Sequence, residues 1–146
     1  MQLHFLGTSG STSSCDRRNT SLLIEGDELI LIDCSADPNK SLKQQGFDVR
    51  KVDAVILTHD HVDHLYGLPS FVHQRWLEGA GEQLTIYGLD DTLQLANKLL
   101  ESFNLRNKEG MFEIEMKEVG AGESLSFANL DLSFVDRRFR TVRHFD

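Results

Sequence analysis

The segment from Val52 to Leu57, followed directly by a cluster of histidines and aspartates, constrains this chain more than any other feature. Apart from Asp53, the segment is apolar and rich in β-branched side chains. Such a run is typical of a strand that is buried on both faces of a sheet. The strand is expected to end at Thr58, so that the polar residues after it form a loop at one edge of the sheet. The sequence therefore predicts an α/β fold with a polar loop at this edge.

The loop itself suggests a metal site. Residues 59–64 read His-Asp-His-Val-Asp-His, which places three imidazoles and two carboxylates together. Neutral imidazole is the commonest metal ligand, and carboxylates supplement it at zinc, manganese or iron. Ligands on a helix must lie three or four residues apart to share a face, so His59 and His61 fit an extended or turning segment instead. Asp63 and His64 could reach a second ion, since hydrolytic metal pairs lie about 3.5–4 Å apart. The alternative is a surface loop that happens to be rich in histidine.

Apolar periodicity and turn residues divide the rest of the chain into strands and helices. Gly26-Asp27 separates two short apolar strands and predicts a hairpin. Asp37-Pro38 predicts the start of a helix, and Gly46 predicts its end. The predicted strands are 3–6, 20–24, 28–32, 52–57, 84–87, 112–119, 124–127 and 130–135, and the predicted helices begin near residues 37, 68 and 90. This order predicts an α/β (α+β) sandwich that forms a single domain over residues 1–146.

Composition and charge exclude several classes of function. Of the 146 residues, 40% are hydrophobic and 26% are charged, as in an ordinary globular domain. The formal net charge of −8 excludes a wholly basic face for nucleic acid, although arginines near both ends could form local basic patches. No apolar run reaches the length of a membrane span and no leader pattern is visible, so we expect a cytoplasmic protein without a membrane partner. Cys15 and Cys34 form no thiolate motif, which is consistent with a reducing compartment.

A resemblance to a known family narrows these expectations. Residues 58–64, followed by Gly67-Leu68-Pro69, resemble the T-H-x-H-x-D-H signature of the metallo-β-lactamase superfamily. The segments 5–10, 31–34 and 84–88 are similar to the ribonuclease Z (tRNase Z) branch of that superfamily. The resemblance runs along the whole chain. It implies the N-terminal half of an αββα sandwich with a site for two zinc ions, with manganese or iron as alternatives.

The resemblance also implies roles for individual residues. The implied metal ligands are His59, His61, Asp63, His64 and His144. The two histidines at 59 and 61 would bind the first ion, and the residues at 63 and 64 would bind the second. Asp63 would also act as the catalytic group that orients the attacking water or takes its proton. Asp33 matches an aspartate that supports the metal loop through a hydrogen bond to a ligand histidine. Candidate substrate-binding residues are Arg18, Asn19, Arg140 and Arg143.

Two stretches depart from the ribonuclease Z pattern, and two ligands have no counterpart. That branch carries a P-x-K-x-R-N loop, whereas Ser14 and Asp16 replace the proline and the lysine here. After Asp33-Cys34 the branch continues G-E-G-T-Q, whereas residues 35–39 read S-A-D-P-N, which is similar to related cyclic-phosphate phosphodiesterases. Family members also supply a bridging aspartate and a last histidine from their second half. Neither ligand has a counterpart in these 146 residues, so the resemblance describes an apparently truncated chain.

Three functions are therefore open. The first is a metal-dependent phosphodiester hydrolase of the ribonuclease Z type, an endonuclease that cuts RNA near a 3′ end, as in tRNA processing. The second is a phosphodiesterase that acts on a small cyclic phosphate or a similar ester. The third is a catalytically silent half-domain that persists by forming oligomers, because half a sandwich would expose the apolar face that its other half covers. We expect a homo-oligomer.

Overall fold

The main element of the fold is a six-stranded sheet with helices on one face. The computed structural model describes residues 1–127 and 130–135. The strands are β1 (Gln2–Gly7), β2 (Ser21–Glu25), β3 (Leu29–Ile32), β4 (Val52–Ile56), β5 (Leu84–Gly88) and β6 (Ile114–Glu118), and they follow one another in this order across the sheet. The first three strands are antiparallel, whereas β3 to β6 run parallel to one another. Strand β3 therefore joins an antiparallel half to a parallel half.

The helices lie in the connections, and a hairpin follows the main sheet. The helices are α1 (Pro38–Gln44), α2 (Val62–Leu65), α3 (Leu68–Leu77) and α4 (Asp90–Ser102), with a short 3-10 helix at Val49–Lys51. Strands β7 (Ser124–Phe127) and β8 (Leu130–Ser133) pair as a separate antiparallel hairpin. Within the described ranges, no helix is both long and apolar enough to cross a membrane.

Each strand and helix predicted from the sequence is present, with ends displaced by one or two residues. Helix α1 illustrates why these predictions succeed. The Asp37 carboxylate accepts a hydrogen bond from the Lys40 amide at 3.0 Å, and Pro38 occupies the first turn, where no amide donor is needed. Gly46 has φ of +86°, a conformation that glycine adopts without strain. Sequence reasoning missed α2, because a helix of four residues is shorter than one hydrophobic repeat.

The two faces of the main sheet are covered by different elements. Side chains such as Leu23, Leu31 and Val55 are fully buried against the helices in the larger core. On the opposite face, a smaller cluster packs against the hairpin. It consists of Ile24, Ile30, Ala54 and Ile56 and contacts Leu125, Phe127, Leu130 and Leu132. The layers are therefore helices, sheet and hairpin, which agrees with the predicted α/β sandwich.

The hairpin leaves the β1 end of this face uncovered. Leu3 and Phe5 pair in register with Ile24 and Leu22, so they lie on the same face as the smaller cluster. Their exposed fractions are 51% and 60%. Exposed apolar side chains of this kind are common on protein surfaces and do not by themselves define an interface. The predicted homo-oligomer therefore stays a prediction.

A buried arginine ties α3 to the start of β4. The Arg75 side chain is 1% exposed. Its Nη1 donates to the carbonyl oxygens of Val49 (3.1 Å), Arg50 (2.7 Å) and Val52 (2.7 Å), and its Nη2 donates to that of Glu82 (3.2 Å). Burial lowers the pKa of the guanidinium, which also lies 4.9 Å from the centre of the Phe112 ring. One side chain thus satisfies carbonyl groups at the start of β4 and before β5.

Gly67 allows the segment after α2 to pass close to the chain that follows β3. A β-carbon at this position would lie 2.7 Å from the carbonyl oxygens of both Cys34 and Ala36. We expect Gly67→Ala to lower the free energy of unfolding by about 1–3 kcal/mol, as overpacking does elsewhere. Chemical denaturation checks this, with Gly81→Ala as the matched control, because a β-carbon at Gly81 meets open space. Equal denaturation midpoints for the two variants would contradict the steric argument.

Candidate metal centre

The histidine loop lies where two adjacent parallel strands end. Asp33 follows β3 directly, and Thr58 follows Leu57 at the end of β4. Because β3 and β4 are parallel neighbours, their carboxyl ends meet at the same edge of the sheet. The Asp33 amide donates to the Ile56 carbonyl at 2.9 Å, which fixes this residue beside β4. Open α/β sheets bind ligands at this edge, so the fold places the predicted site where chemistry is expected.

Asp33 is the centre of the hydrogen-bond network at this edge. Its side chain is 3% exposed, and its φ of +59° lies in the left-handed region that aspartate tolerates better than most residues. Oδ1 accepts from the Thr58 amide at 2.9 Å, and Oδ2 lies 2.6 Å from Nδ1 of His64. The predicted hydrogen bond from Asp33 to a histidine of the loop is therefore present. Its role in supporting a metal centre stays a prediction.

Thr58 extends this network to a second histidine. Its Oγ1 lies 3.0 and 2.9 Å from the two carboxylate oxygens of Asp33. The same oxygen lies 2.9 Å from Nδ1 of His59. Sequence reasoning did not identify Thr58 as a functional residue, although it stands in the motif, because its partner is 25 residues away. The network thus connects Asp33 to both His59 and His64.

Pairwise contacts link the four predicted ligands of the loop. The His59 ring centre is 4.4 Å from that of His61 and 4.1 Å from that of His64. Nε2 of His64 lies 3.5 Å from Oδ2 of Asp63. Within residues 1–127 and 130–135, however, no three His, Cys, Asp or Glu side chains form a group that could hold a metal ion. The structure therefore brings the four together in pairs without a closed donor shell.

Backbone hydrogen bonds hold α2 against the end of β3. The Cys34 amide donates to the His64 carbonyl at 2.9 Å, and the Gly67 amide donates to the Cys34 carbonyl at the same distance. The Cys34 side chain is fully buried, and burial followed by the charge of Asp33 raises the pKa of its thiol. Cys34 is accordingly a core residue, and its thiol stays protonated. Asp63 and His64 are fixed by this anchored helix rather than by a free turn.

Electrostatics favour the neutral form of His59. Partial burial lowers the pKa of its imidazole, and the neighbouring rings of His64 and His61 lower it further. The carboxylates of Asp33 and Asp63 act in the opposite direction without reversing the shift. A lowered pKa keeps the ring unprotonated at neutral pH, and only an unprotonated nitrogen can bind a metal.

The loop before β2 packs beside this edge. Nδ2 of Asn19 donates to the carbonyl oxygens of Gly10 (2.8 Å) and Ser11 (3.1 Å), and its Oδ1 accepts from the Tyr66 hydroxyl at 3.1 Å. Asn19 is 4% exposed, so it shapes this loop and joins it to the segment after α2. The Asn19 amide thus bonds within the chain, and its predicted contact with substrate stays a prediction.

Arg18 differs from Asn19 because it reaches a cleft. Its Nη1 donates to Oγ of Ser41 at 2.5 Å, which anchors the side chain on α1. Together with Arg17, Asp16 and Cys15, it lines an open cleft of about 340 Å³ between this loop and α1. The remaining guanidinium donors of Arg18 suit an anionic ligand, although Asp16 adds a negative charge to the same cleft. The other predicted residues, His144, Arg140 and Arg143, lie outside the described residues.

Comparison with known proteins identifies the family. The family model described as Anti-Pycsar protein Apyc1 matches residues 1–139. The chain belongs to the Anti-Pycsar protein Apyc1 family. The match includes the histidine loop, the strand before it and the segment that contains Asp33.

Relatives of this Apyc1 family member confirm the predicted superfamily and branch. It is 36% identical to Ribonuclease Z of Bradyrhizobium diazoefficiens over 99 residues, which cover 67% of this chain and 33% of the relative. The structure of human tRNase Z, short form, matches with a TM-score of 0.70 and 24% identity over 81% of this chain and 44% of that chain. The metallo-β-lactamase fold protein YhfI from Bacillus subtilis matches with a TM-score of 0.69 and 21% identity over 91% and 51%.

These likenesses place the chain in the metallo-β-lactamase superfamily, with ribonuclease Z-like sequence features. The chain spans about a third of the length of the curated relative and about half of the two solved structures. The predicted fold class, the N-terminal half of an αββα sandwich, is confirmed in the part that the structure describes.

Proposed function

We propose that this protein is a metal-dependent phosphodiester hydrolase of the ribonuclease Z type, which cuts RNA near a 3′ end. The observation that carries the proposal is the contact between the His59 and His64 rings, both linked to the Asp33 carboxylate. A buried carboxylate that orients histidines is typical of metal centres. Similarity to proteins named Ribonuclease Z supports the choice of substrate.

The residue types of the loop are those that bind zinc, manganese or iron, although among the described residues they do not form a closed donor shell. Three imidazoles and the Asp63 carboxylate lie within the same loop, and both Nδ1 atoms that meet the Asp33–Thr58 network leave an Nε2 for an ion. When bound, divalent cations supply positive charge that stabilises a hydroxide nucleophile near neutral pH and the charge on the phosphate oxygens. His59 and His61 would hold the first ion, and Asp63 and His64 would hold the second. His144 stays a predicted ligand.

Two other side chains would position the attacking water, accept its proton and bind the substrate phosphate. The Asp63 side chain is 12% exposed and adjoins His64, so it could orient the attacking water and accept its proton. Arg18, anchored on Ser41, would bind a substrate phosphate in the cleft between α1 and the loop before β2.

A small cyclic phosphodiester is the second candidate substrate. The ribonuclease Z branch has a lysine where this chain has Asp16, and that carboxylate lines the cleft together with Arg17 and Arg18. The added negative charge weakens attraction for a polyanion such as RNA more than for a single phosphate. The family to which the chain belongs is also described as Anti-Pycsar protein Apyc1 rather than as Ribonuclease Z.

The decisive experiment compares His61→Ala with His73→Ala in the full chain. His73 is exposed on α3 and serves as the matched control. With added zinc or manganese, we expect the wild type and His73→Ala to hydrolyse bis(p-nitrophenyl) phosphate equally. Loss of a ligand should cost at least as much as loss of a supporting residue, so we expect His61→Ala to be about 100-fold slower or worse.

Substrate is assigned in the same assay with a 3′-extended tRNA and with a cyclic nucleotide. Faster cleavage of the tRNA supports a function of the ribonuclease Z type. Faster cleavage of the cyclic nucleotide supports a phosphodiesterase that acts on a small cyclic phosphate. Equal activity of wild type and His61→Ala would overturn metal-dependent hydrolysis. Metal binding without hydrolysis of any substrate would favour the catalytically silent half-domain instead.

A further inference from the structure

We infer that Thr58 is a positioning residue that fixes the tautomer of the His59 ring on behalf of Asp33. The inference rests on the proposed function for its importance, but it concerns the protein's own hydrogen bonds. An imidazole binds a metal through the nitrogen that carries no hydrogen, so the position of one proton decides which nitrogen is available.

The direction of each hydrogen bond follows from counting protons. An ionised carboxylate only accepts hydrogen bonds, and a threonine hydroxyl has a single proton to donate. Oγ1 of Thr58 lies within 3.0 Å of both Asp33 oxygens and 2.9 Å from Nδ1 of His59. If the hydroxyl proton pointed to His59, lone pairs of Thr58 would face the carboxylate without a proton between them. The proton therefore points to Asp33, and Thr58 accepts from Nδ1–H of His59.

The same argument applies directly to His64. Its Nδ1 lies 2.6 Å from Oδ2 of Asp33, so it donates its proton to the carboxylate. One carboxylate thus sets the tautomer of two histidines, His64 by direct contact and His59 through the threonine. Both rings carry their lone pair on Nε2. The His61 ring makes no hydrogen bond to another side chain among the residues that the structure describes, so this network leaves its tautomer unset.

The hydroxyl can be separated from the rest of the loop. The Thr58 backbone amide donates independently to Oδ1 of Asp33 at 2.9 Å. Thr58→Val keeps this bond and the shape of the side chain but removes the hydroxyl, whereas Thr58→Ser keeps the hydroxyl. Thr85→Val is a matched control on β5, because no side-chain hydrogen bond of Thr85 to a described residue is present. The valine variant therefore tests the hydrogen-bond link from Asp33 through Thr58 to His59, with little change elsewhere.

The test is long-range 1H–15N correlation NMR of the metal-free chain at about pH 8, where imidazoles are neutral. We expect the Nδ1–H form for His59 and His64 in the wild type. In Thr58→Val we expect His59 to revert to a mixture dominated by Nε2–H, with His64 unchanged. Thr58→Ser should restore the wild-type pattern and Thr85→Val should retain it. An Nε2–H form of His59 in the wild type, or an unchanged tautomer in Thr58→Val, would overturn the inference.

Metal affinity supplies the second readout. We expect Thr58→Val to bind zinc about 10–100-fold more weakly than the wild type in competition with a chelating dye, and Thr58→Ser to recover most of that loss. Equal zinc affinity of wild type and Thr58→Val would overturn the claim that this hydrogen-bond link supports metal binding. If no variant binds zinc but the NMR pattern is as expected, the proposed function fails, while the inference that Thr58 fixes the His59 tautomer stands.

Discussion

Replacing Asp33 with alanine is expected to lower the free energy of unfolding by about 3–5 kcal/mol and to weaken metal binding at least about 10–100-fold. The substitution removes the acceptor of the Thr58 amide, the Thr58 hydroxyl and His64 at once. A buried donor without a partner costs about 1–3 kcal/mol. Alanine at a φ of +59° adds about 1 kcal/mol of backbone strain, because its β-carbon meets the following carbonyl.

Urea denaturation measures this loss against Asp53→Ala. Asp53 is also a carboxylate of the sheet, but its side chain accepts one backbone hydrogen bond, from Leu29 at 2.7 Å. We expect that control to lose about 1 kcal/mol. Asp33→Asn should fall between the two, since asparagine tolerates the same backbone conformation and keeps one acceptor. Similar losses for Asp33→Ala and Asp53→Ala would show that the network adds nothing to stability.

Arg75→Met is expected to be comparably destabilising, by about 3–5 kcal/mol, without touching the histidine loop. Methionine fills much of the volume but leaves the carbonyl oxygens of Val49, Arg50 and Val52 without the donor that now satisfies them. In a domain of this size the loss corresponds to a fall of about 10–16 °C in Tm. Arg75→Lys should recover little, because an ammonium group lacks the planar fork that reaches several carbonyls.

Differential scanning calorimetry checks this prediction, with Arg106→Met as the control. Arg106 donates one hydrogen bond to a described residue's backbone, the Ile114 carbonyl at 3.1 Å, so we expect a loss of about 1 kcal/mol. Zinc affinity should be unchanged in both variants once they are folded. A Tm of Arg75→Met equal to that of Arg106→Met would mean that water replaces the guanidinium without cost.

The strands and longer helices could be predicted because their signals are local. Alternating apolar residues, the Asp37-Pro38 start and the glycine stops each act within a few positions. Arg75 shows where such signals are ambiguous. It lies four residues after Phe71 and three after Val72, both fully buried, so its position on α3 predicts burial while its charge predicts exposure. The position on the helix predicted the burial correctly. Arg75 is buried because its guanidinium donates to backbone carbonyl groups of residues that are far from it in the sequence.

The site could be predicted in its residue types but not in its connections. The spacing of His59, His61, Asp63 and His64 predicted a metal loop; pairwise contacts link the four, and the metal site itself stays a prediction. The link from Thr58 to Asp33 depends on β3 and β4 being parallel neighbours, which a single sequence does not reveal. The pairing of strands is decided by the packing of the whole sheet rather than by either strand alone.

The change of strand direction at β3 has a consequence for the order of folding. Only residues 26–28 separate β2 from β3, whereas β4 reaches β3 through a connection that includes α1 and the 3-10 helix. Closing a short loop costs less entropy than closing a long one, so the antiparallel hairpin is expected to form first. Asp33 would then be presented at its end before Thr58 and His64 arrive. The Asp33 carboxylate would therefore already be in place to accept hydrogen bonds from the histidine loop when that loop forms.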